Sequence, residues 1–390
     1  MMEQTKEGTV QEWSETKRDT GSAAEASLAR SPLRLLIIAP SHDILGGQSV
    51  HAAHLVKEFG KESALRISFL PINPRAPGFL RYLQRVKFVR TLVTSLVYFL
   101  KLLANIPRHD IIHVSSAAYT GFIISTMPPV YLGKLFRKKV VLNYHAGQAV
   151  EHLRDWKRTA IPTARRADAV VVPSNWLVDV FAEHGLKARA IFNHIELDDF
   201  HFRERKPLRP SFLSNRNFDP IYNVPCVLKS FAIIQKQVAD ASLVVVGDGA
   251  QRAELEELAR DLKLRNVKFT GLVAPAEMPQ LCDEADIYLN ASNVDNMPLS
   301  ILEAFAAGLP VVTTNAGGIP YMVSHEQTGL LVEKNDYEAM AAAAMRLLED
   351  EELAAQMTER ARAECAKYRW DVVREEWLDF YREVAGEKKL

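Results

Sequence analysis

The sequence predicts an α/β protein made of two doubly wound units, and three observations carry that expectation. Short apolar runs ending at turns alternate with helical stretches, the pattern of parallel strands joined by helical crossovers. The alternation runs once from about residue 33 and begins afresh near Ser211-Phe212-Leu213-Ser214. A chain of 390 residues has room for two domains of ordinary size.

The first unit opens on Leu33-Arg34-Leu35-Leu36-Ile37-Ile38-Ala39-Pro40, which reads as a buried parallel strand. Gly46-Gly47 follows, then a helical stretch over 48–59. Further strands are expected at 66–70, 110–114, 139–144 and 168–172. In the second unit they are expected at 211–214, 242–246, 266–270, 286–290, 310–314 and 329–332. Helices at 224–237, 252–262, 299–307 and 337–348 separate them. The connector 198–210 is charged and holds two prolines, as a linker does. In the tail, Trp370, Val373, Trp377, Phe380, Tyr381 and Val384 make one aromatic helix face. That face packs either on its own domain or back on the first. Residues 1–31 are polar and acidic and lack the continuous apolar core of a signal peptide, so a disordered tail is expected.

Composition narrows the function classes. Apolar residues make up 48% and charged residues 25%, ordinary for a soluble globular protein. Cys226, Cys282 and Cys365 lie far apart with no CxxC spacing, which implies neither a disulfide framework nor a zinc site and fits a reducing cytoplasm. The net charge of zero hides an asymmetry: residues 31–190 hold 22 Lys and Arg against 9 Asp and Glu, and residues 191–390 hold 22 against 33. A basic first half points to an anionic partner, and no recognition motif supports nucleic acid. Between Ser63 and His109 there are eight bases and no acid. Arg81, Arg85, Lys87 and Arg90 precede ten uncharged residues, 91–100. That run is shorter than the roughly 20 residues a span needs. Residues 79–106 are therefore expected to lie on an anionic membrane surface, although the bases do not share one helix face. A covered core helix is the competing reading.

The densest local signal is Asp295-Asn296-Met297-Pro298-Leu299-Ser300-Ile301-Leu302-Glu303, running on to Gly308-Leu309-Pro310. Pro298 can start a helix near its first position. The amides of Leu299 and Ser300 then point out of the helix start, a ready anion site for a diphosphate. One turn on, Glu303 can accept both hydroxyls of a ribose. Arg216, just after the first strand of the second unit, can hold a diphosphate with two parallel hydrogen bonds. Ile221, Tyr222 and Asn223 follow it, and the next base, Lys229, lies inside a helix. Gly46-Gly47 allows close approach to a phosphate or sugar. His145 ends a strand, where clefts form in such sheets. His51 and His54 share a helix face without obvious companion ligands. Gly247-Asp248-Gly249 lacks the full GxGxxG pattern and reads as a turn. No GxxxxGK(S/T), HExxH, GxSxG or Asp-x-Asp occurs, so no metal is expected on the diphosphate.

These residues together resemble the GT-B glycosyltransferases of family 4, the glycosyl transferases group 1. Residues 295–303 are similar to that family's Glu-x7-Glu motif, with Asp295 in the first acidic place and Glu303 in the second. The resemblance implies that Glu303 holds a nucleotide ribose and that Asp295 and His145 face the donor sugar. It also implies that Arg216 clamps the diphosphate, although the Lys usual five to seven residues later is missing. Gly46-Gly47 resembles the family's first-domain glycine loop, and Gly271-Leu272-Val273 its base-binding loop. Asn193 resembles an Asn-Gly segment at the domain junction, with His194 in place of Gly. Gly317-Gly318-Ile319-Pro320 matches another family loop, with Tyr321 where a Glu is usual.

The likeness spans about residues 33–385. It implies an acceptor-binding Rossmann-like domain at 32–195, a nucleotide-sugar-binding one at 208–368, and a helix 369–386 crossing back to the first. The implied activity is a retaining, metal-independent transfer from a UDP- or GDP-sugar, with no cofactor. The implied acceptor is a glycan or lipid-linked precursor of a polysaccharide, met in the cytoplasm at the inner face of the cell membrane. A non-catalytic sugar-nucleotide-binding subunit is the alternative that the missing Lys and the Asp favour. A sugar-nucleotide epimerase on the same fold is another.

Overall fold

The structure is a computed structural model that describes residues 32–41, 47–78, 80–84, 86 and 89–386. The expected disordered tail, 1–31, lies outside the described residues, as do Gly46, Arg85 and Lys87.

Two parallel sheets of six strands each form the frame. The first contains β1 (Leu33–Ala39), β2 (Leu65–Pro71), β3 (Ile111–Ser115), β4 (Lys139–Asn143), β5 (Ala169–Val172) and β6 (Arg189–Ala190), in the order β2-β1-β3-β4-β5-β6. The second contains β7 (Ser211–Asn215), β8 (Ser242–Val246), β9 (Val267–Gly271), β10 (Ile287–Asn290), β11 (Val311–Thr314) and β12 (Leu330–Val332), in the order β12-β11-β10-β7-β8-β9. Helices cover both faces, which is why Leu35–Ala39 of β1 and all of β11 read as unbroken apolar or β-branched runs and are buried. The strand order reverses between β1 and β3 and again between β7 and β10. Crevices open at the carboxyl ends of strands at such reversals.

The tail crosses back. The helix Trp370–Ala385 buries Val373, Trp377, Phe380 and Tyr381 in one cluster with Leu35, Ile37 and Phe59 of the first domain. Its Tyr381 hydroxyl lies 2.7 Å from Nδ1 of His113 on β3. The Asn143 amide donates to Nε2 of that ring at 3.0 Å, which leaves Nδ1–H to donate to Tyr381. Arg374 adds an ion pair to Glu62. Where the chain leaves and re-enters the first domain its two passes touch, the amide of Ile195 donating to the carbonyl of Tyr368 at 2.8 Å.

The connector is not a loose linker. Arg203 and Arg209 reach the carboxylate of Asp286, which is fully buried at the start of β10, at 2.6 and 2.8 Å. The Arg205 guanidinium donates to the carbonyls of Cys282, Ala285, Ala307 and Gly308. Burial opposes the charge on Asp286, but Arg209 and Arg203 hold its pKa below the ordinary carboxylate range. The segment expected as the linker is thus docked on the second domain by its arginines.

The basic apolar segment also departs from expectation. The helix Val89–Asn105 runs on through Ile106–Arg108, giving 20 residues whose most apolar 18-residue stretch has a mean hydropathy of 1.4, long and apolar enough to cross a membrane by length and composition. The ten-residue run read from sequence stops at Lys101, which the helix simply includes. Tyr98 and Leu102 face the sheet, while Leu92 is 73% exposed, and Leu96, Phe99 and Leu100 also face outward. The helix Met127–Leu135 packs beside it and leaves Tyr131 and Leu135 exposed.

Two predictions follow from these contacts. Asp286→Asn leaves three guanidinium groups crowded without their anion, and should cost about 3–5 kcal/mol, read as a lower urea midpoint for the second domain. An unchanged midpoint would remove the clamp from the account. Burial lowers His113 to about 3 and both His145 and His152 to about 4. The unfolded chain takes up these protons near pH 6.5 and the folded chain only near 3–4. Stability is thus complete above about pH 6.5 and declines as pH falls toward about 4. Urea unfolding at about pH 5 should show a lower midpoint than at about pH 7.5; equal midpoints would contradict this.

Candidate functional site

The strand-order reversal in the second sheet places two strand ends side by side. β7 ends at Asn215 and hands on to Arg216, while β10 ends at Asn290 and runs into the loop carrying Asp295. Arg216 Nη2 donates to Asp295 Oδ2 at 2.7 Å and Nη1 to the Ser300 hydroxyl at 3.3 Å. The Tyr222 ring lies 4.0 Å from the guanidinium carbon, a cation–π contact. Burial works most strongly against the charge on Arg216, but Asp295, Tyr222, Tyr288 and Glu303 together outweigh it and the pKa is raised. Asp295 also accepts from Ser292 Oγ and the Asn296 amide, both at 3.0 Å. Its carboxylate, expected to face a sugar, is thus largely engaged within the protein.

Glycines make the loop approach feasible. A Cβ on Gly317 would stand 2.2 Å from the Asp295 carbonyl, and one on Gly318 only 1.9 Å from that of Asn296. The turn that follows β11 can therefore lie directly on the acidic loop. Gly247 packs in the same way on the Arg216 carbonyl, so its turn, read correctly as a turn, shapes the Arg216 loop.

The helix Leu299–Ala307 has its expected limits, with extended Pro298 as its cap residue. The amides of Leu299 and Ser300 belong to the first turn, whose N–H groups find no acceptor within a helix. Glu303 Oε2 accepts from Asn215 Nδ2 at 2.9 Å, and Asn215 Oδ1 accepts from the Tyr288 hydroxyl at 2.7 Å. Burial raises the Glu303 pKa, opposed by Asn215 and Arg216. Gly308 closes the helix in the left-handed region at φ 73°.

Across the cleft, His145 follows β4. His145, Gln48 and Asn193 from the first-domain side and Arg216, Asp295, Ser300 and Glu303 from the second line one cavity of about 540 Å3. Contacts close it at its rim. Asn193 Nδ2 donates to the Met297 carbonyl at 3.2 Å, Ser174 bonds Asn296, and the Tyr321 hydroxyl donates to Asp179 at 2.8 Å. Tyr321, standing where a Glu is usual, thus serves as a bridge between domains.

The site residues named from sequence fall out as follows. His145, Arg216, Asp295, Leu299, Ser300, Glu303 and Val273 border this cavity. Leu272 stands beside it, 54% exposed, and is not part of its wall. Gly47 opens a helix whose next residue, Gln48, lines the cavity; Gly46 is outside the described residues. Sequence reading missed Asn215 and Tyr222. Asn215 was findable as the polar last residue of an apolar strand. Tyr222 reaches Arg216 across a turn and carries no periodic signal.

Comparison with known proteins agrees with this geometry. Residues 198–364 match the family described as glycosyl transferases group 1. An N-acetyl-alpha-D-glucosaminyl L-malate synthase of Bacillus anthracis is 34% identical over 44% of this chain and 45% of its own length. A GDP-mannose-dependent alpha-(1-6)-phosphatidylinositol monomannoside mannosyltransferase of Mycobacterium tuberculosis is 32% identical over 46% of this chain and 49% of its own. The matches thus span about half the length of these relatives. Among solved structures, Anabaena HepE in complex with UDP superposes with a TM-score of 0.71 at 17% identity, covering 90% of this chain and all of that one, a likeness of fold. The second domain thus matches the glycosyl transferases group 1 family, and the chain as a whole shares the two-domain GT-B fold of its structural neighbours.

Proposed function

We propose that the chain moves a sugar from a nucleotide diphosphate sugar, UDP- or GDP-linked, to an acceptor held by the first domain, with retention at the anomeric carbon. One observation carries the reading: Arg216, the open amides of Leu299 and Ser300, and Glu303 line a single cavity at the strand-order reversal. Glu303, oriented by Asn215, accepts the ribose hydroxyls. Arg216 and the helix start take the diphosphate, so the charge released on the leaving group is met without a metal. The backbone at Gly271–Val273 borders the nucleobase. His145, kept neutral by burial, faces the donor sugar from the opposite wall. The acceptor hydroxyl attacks from the face the diphosphate leaves, and its proton passes to a leaving phosphate oxygen.

The acceptor side of the reading is a lipid-linked glycan or lipid at the inner surface of the cell membrane. The outward apolar faces of Val89–Asn105 and Met127–Leu135 lie among Arg81, Arg90, Arg108 and Arg137. Apolar area with surrounding bases is the composition that binds anionic bilayers.

A second reading is favoured by the count of cations. Among the described residues lining the cavity Arg216 is the one Lys or Arg, and Asp295 already neutralises it. That charge balance suits a subunit that binds a sugar nucleotide without turning it over.

In a thermal-shift panel, UDP or GDP should raise the melting point. Arg216→Ala should abolish the shift and Glu303→Ala should reduce it. Normal shifts in both variants would refute the site. Slow nucleotide release from the matching sugar nucleotide supports transfer; binding with no release supports the second reading. The wild-type chain should co-sediment with phosphatidylglycerol vesicles at low salt. A variant carrying Leu92→Ser, Leu96→Ser, Arg81→Gln and Arg90→Gln should stay in solution. Equal sedimentation of the two would reject this surface.

A further inference from the structure

A second cavity of about 490 Å3 adjoins the first and shares Val50, Leu299 and Glu303 with it. Here the fold supplies the companions that His54 lacked in sequence. His54 comes from the helix Gly47–Phe59, and His194 and Glu196 come from the segment leading into the second domain. One donor atom from each of the three lies within 4.8 Å of the others. His54 Nε2 stands 3.6 Å from Glu196 Oε1, and the two imidazole centroids are 3.7 Å apart.

One feature beyond proximity marks this cluster as built for a ligand. His54 Nε2 and His194 Nδ1 are closed off from solvent and have no hydrogen-bond partner. Buried polar atoms are rarely left so, because each orphan costs about 1–3 kcal/mol. Two imidazole lone pairs beside a carboxylate offer acceptors only, a set that takes a cation rather than an anion.

We propose that His54, His194 and Glu196 bind a divalent transition cation, best fitted by Zn2+, at the junction between the two domains. Two imidazoles and one carboxylate suit Zn2+, whereas Ca2+ and Mg2+ prefer all-oxygen sets. Bonds of about 2.0–2.1 Å bring tetrahedral donors to roughly 3.3 Å from one another. The rings, now inclined by 34°, must therefore turn from stacking to aim both lone pairs at one ion. The cavity leaves the fourth position to water. Trp370, at the start of the crossing helix, packs on both rings with centroids 4.5 and 5.0 Å away. An ion here joins the first-domain helix to the outgoing chain, beneath the returning one. None of the three ligands lines the donor cavity, and ion binding is read directly, so its test is independent of the donor reading.

Untagged protein stripped with a chelator is titrated with ZnCl2 by calorimetry and with Co2+ by visible absorption. The cysteines are all buried and do not compete. One ion per chain should bind in the micromolar range, with the absorption of four-coordinate Co2+. His54→Ala and His194→Ala should each weaken binding at least about tenfold. His201→Ala, at an exposed His–Asp pair elsewhere, should change nothing. No saturable binding by the wild type, or equal affinity in both histidine variants, overturns the proposal. Should the histidine variants fail to fold, Glu196→Gln, on an exposed side chain, decides: weakened binding supports the site and unchanged binding rejects it.

Discussion

A parallel sheet sends the carboxyl end of every strand to the same edge, and that constraint organises this molecule. Each side chain of the cleft sits on, or just beyond, such an end: Arg216 after β7, the Asp295 loop after β10, His145 after β4. Helices return the chain to the opposite edge, so the reactive loops cluster without any need for their positions in sequence to be close. Two sheets can share one cleft only while their edges face each other. The helix Trp370–Ala385, buried against β1 and β3 through Trp377 and Tyr381, holds them so.

Within the cleft the balance of charge is tight. Arg216 carries the positive charge, Asp295 faces it at 2.7 Å, and Tyr222 covers the guanidinium face. A buried guanidinium without an anion is costly, so Asp295 holds the site together. Under the proposed function, a diphosphate would bring two negative groups to a cation that already has a partner. Its binding would then be an exchange of anions, aided by the amides at the start of Leu299–Ala307. Asp at this position, one methylene shorter than Glu, keeps its carboxylate near its own loop, where Ser292 and the Asn296 amide also bind it.

Much of this architecture was legible in the residues. The helices Val224–Gln237 and Leu299–Ala307 match their sequence-read limits because proline marks each start, and Gly308 the second's end. The two-residue strand β6 was not legible, being too short for any periodicity. The docking of the connector was not legible for a physical reason: Asp286, the partner of Arg203 and Arg209, lies some 80 positions away in the chain. The same holds for His54 and His194. Their proximity depends on a path through the whole first sheet, and local spacing carries no trace of it. The apolar face of Val89–Asn105 was half legible, since a wheel of its bases shows no pattern while its exposed leucines do.

The clamp on Asp286 also bears on how the halves move. With residues 203–209 fastened to the second domain, the free chain between the bodies shrinks to the two passes that meet at Ile195 and Tyr368. Two short strands tied by one hydrogen bond behave as a pin rather than a tether. The rim bonds at Ser174 and Tyr321 tie the two halves again, so a swivel about that pin must break them first.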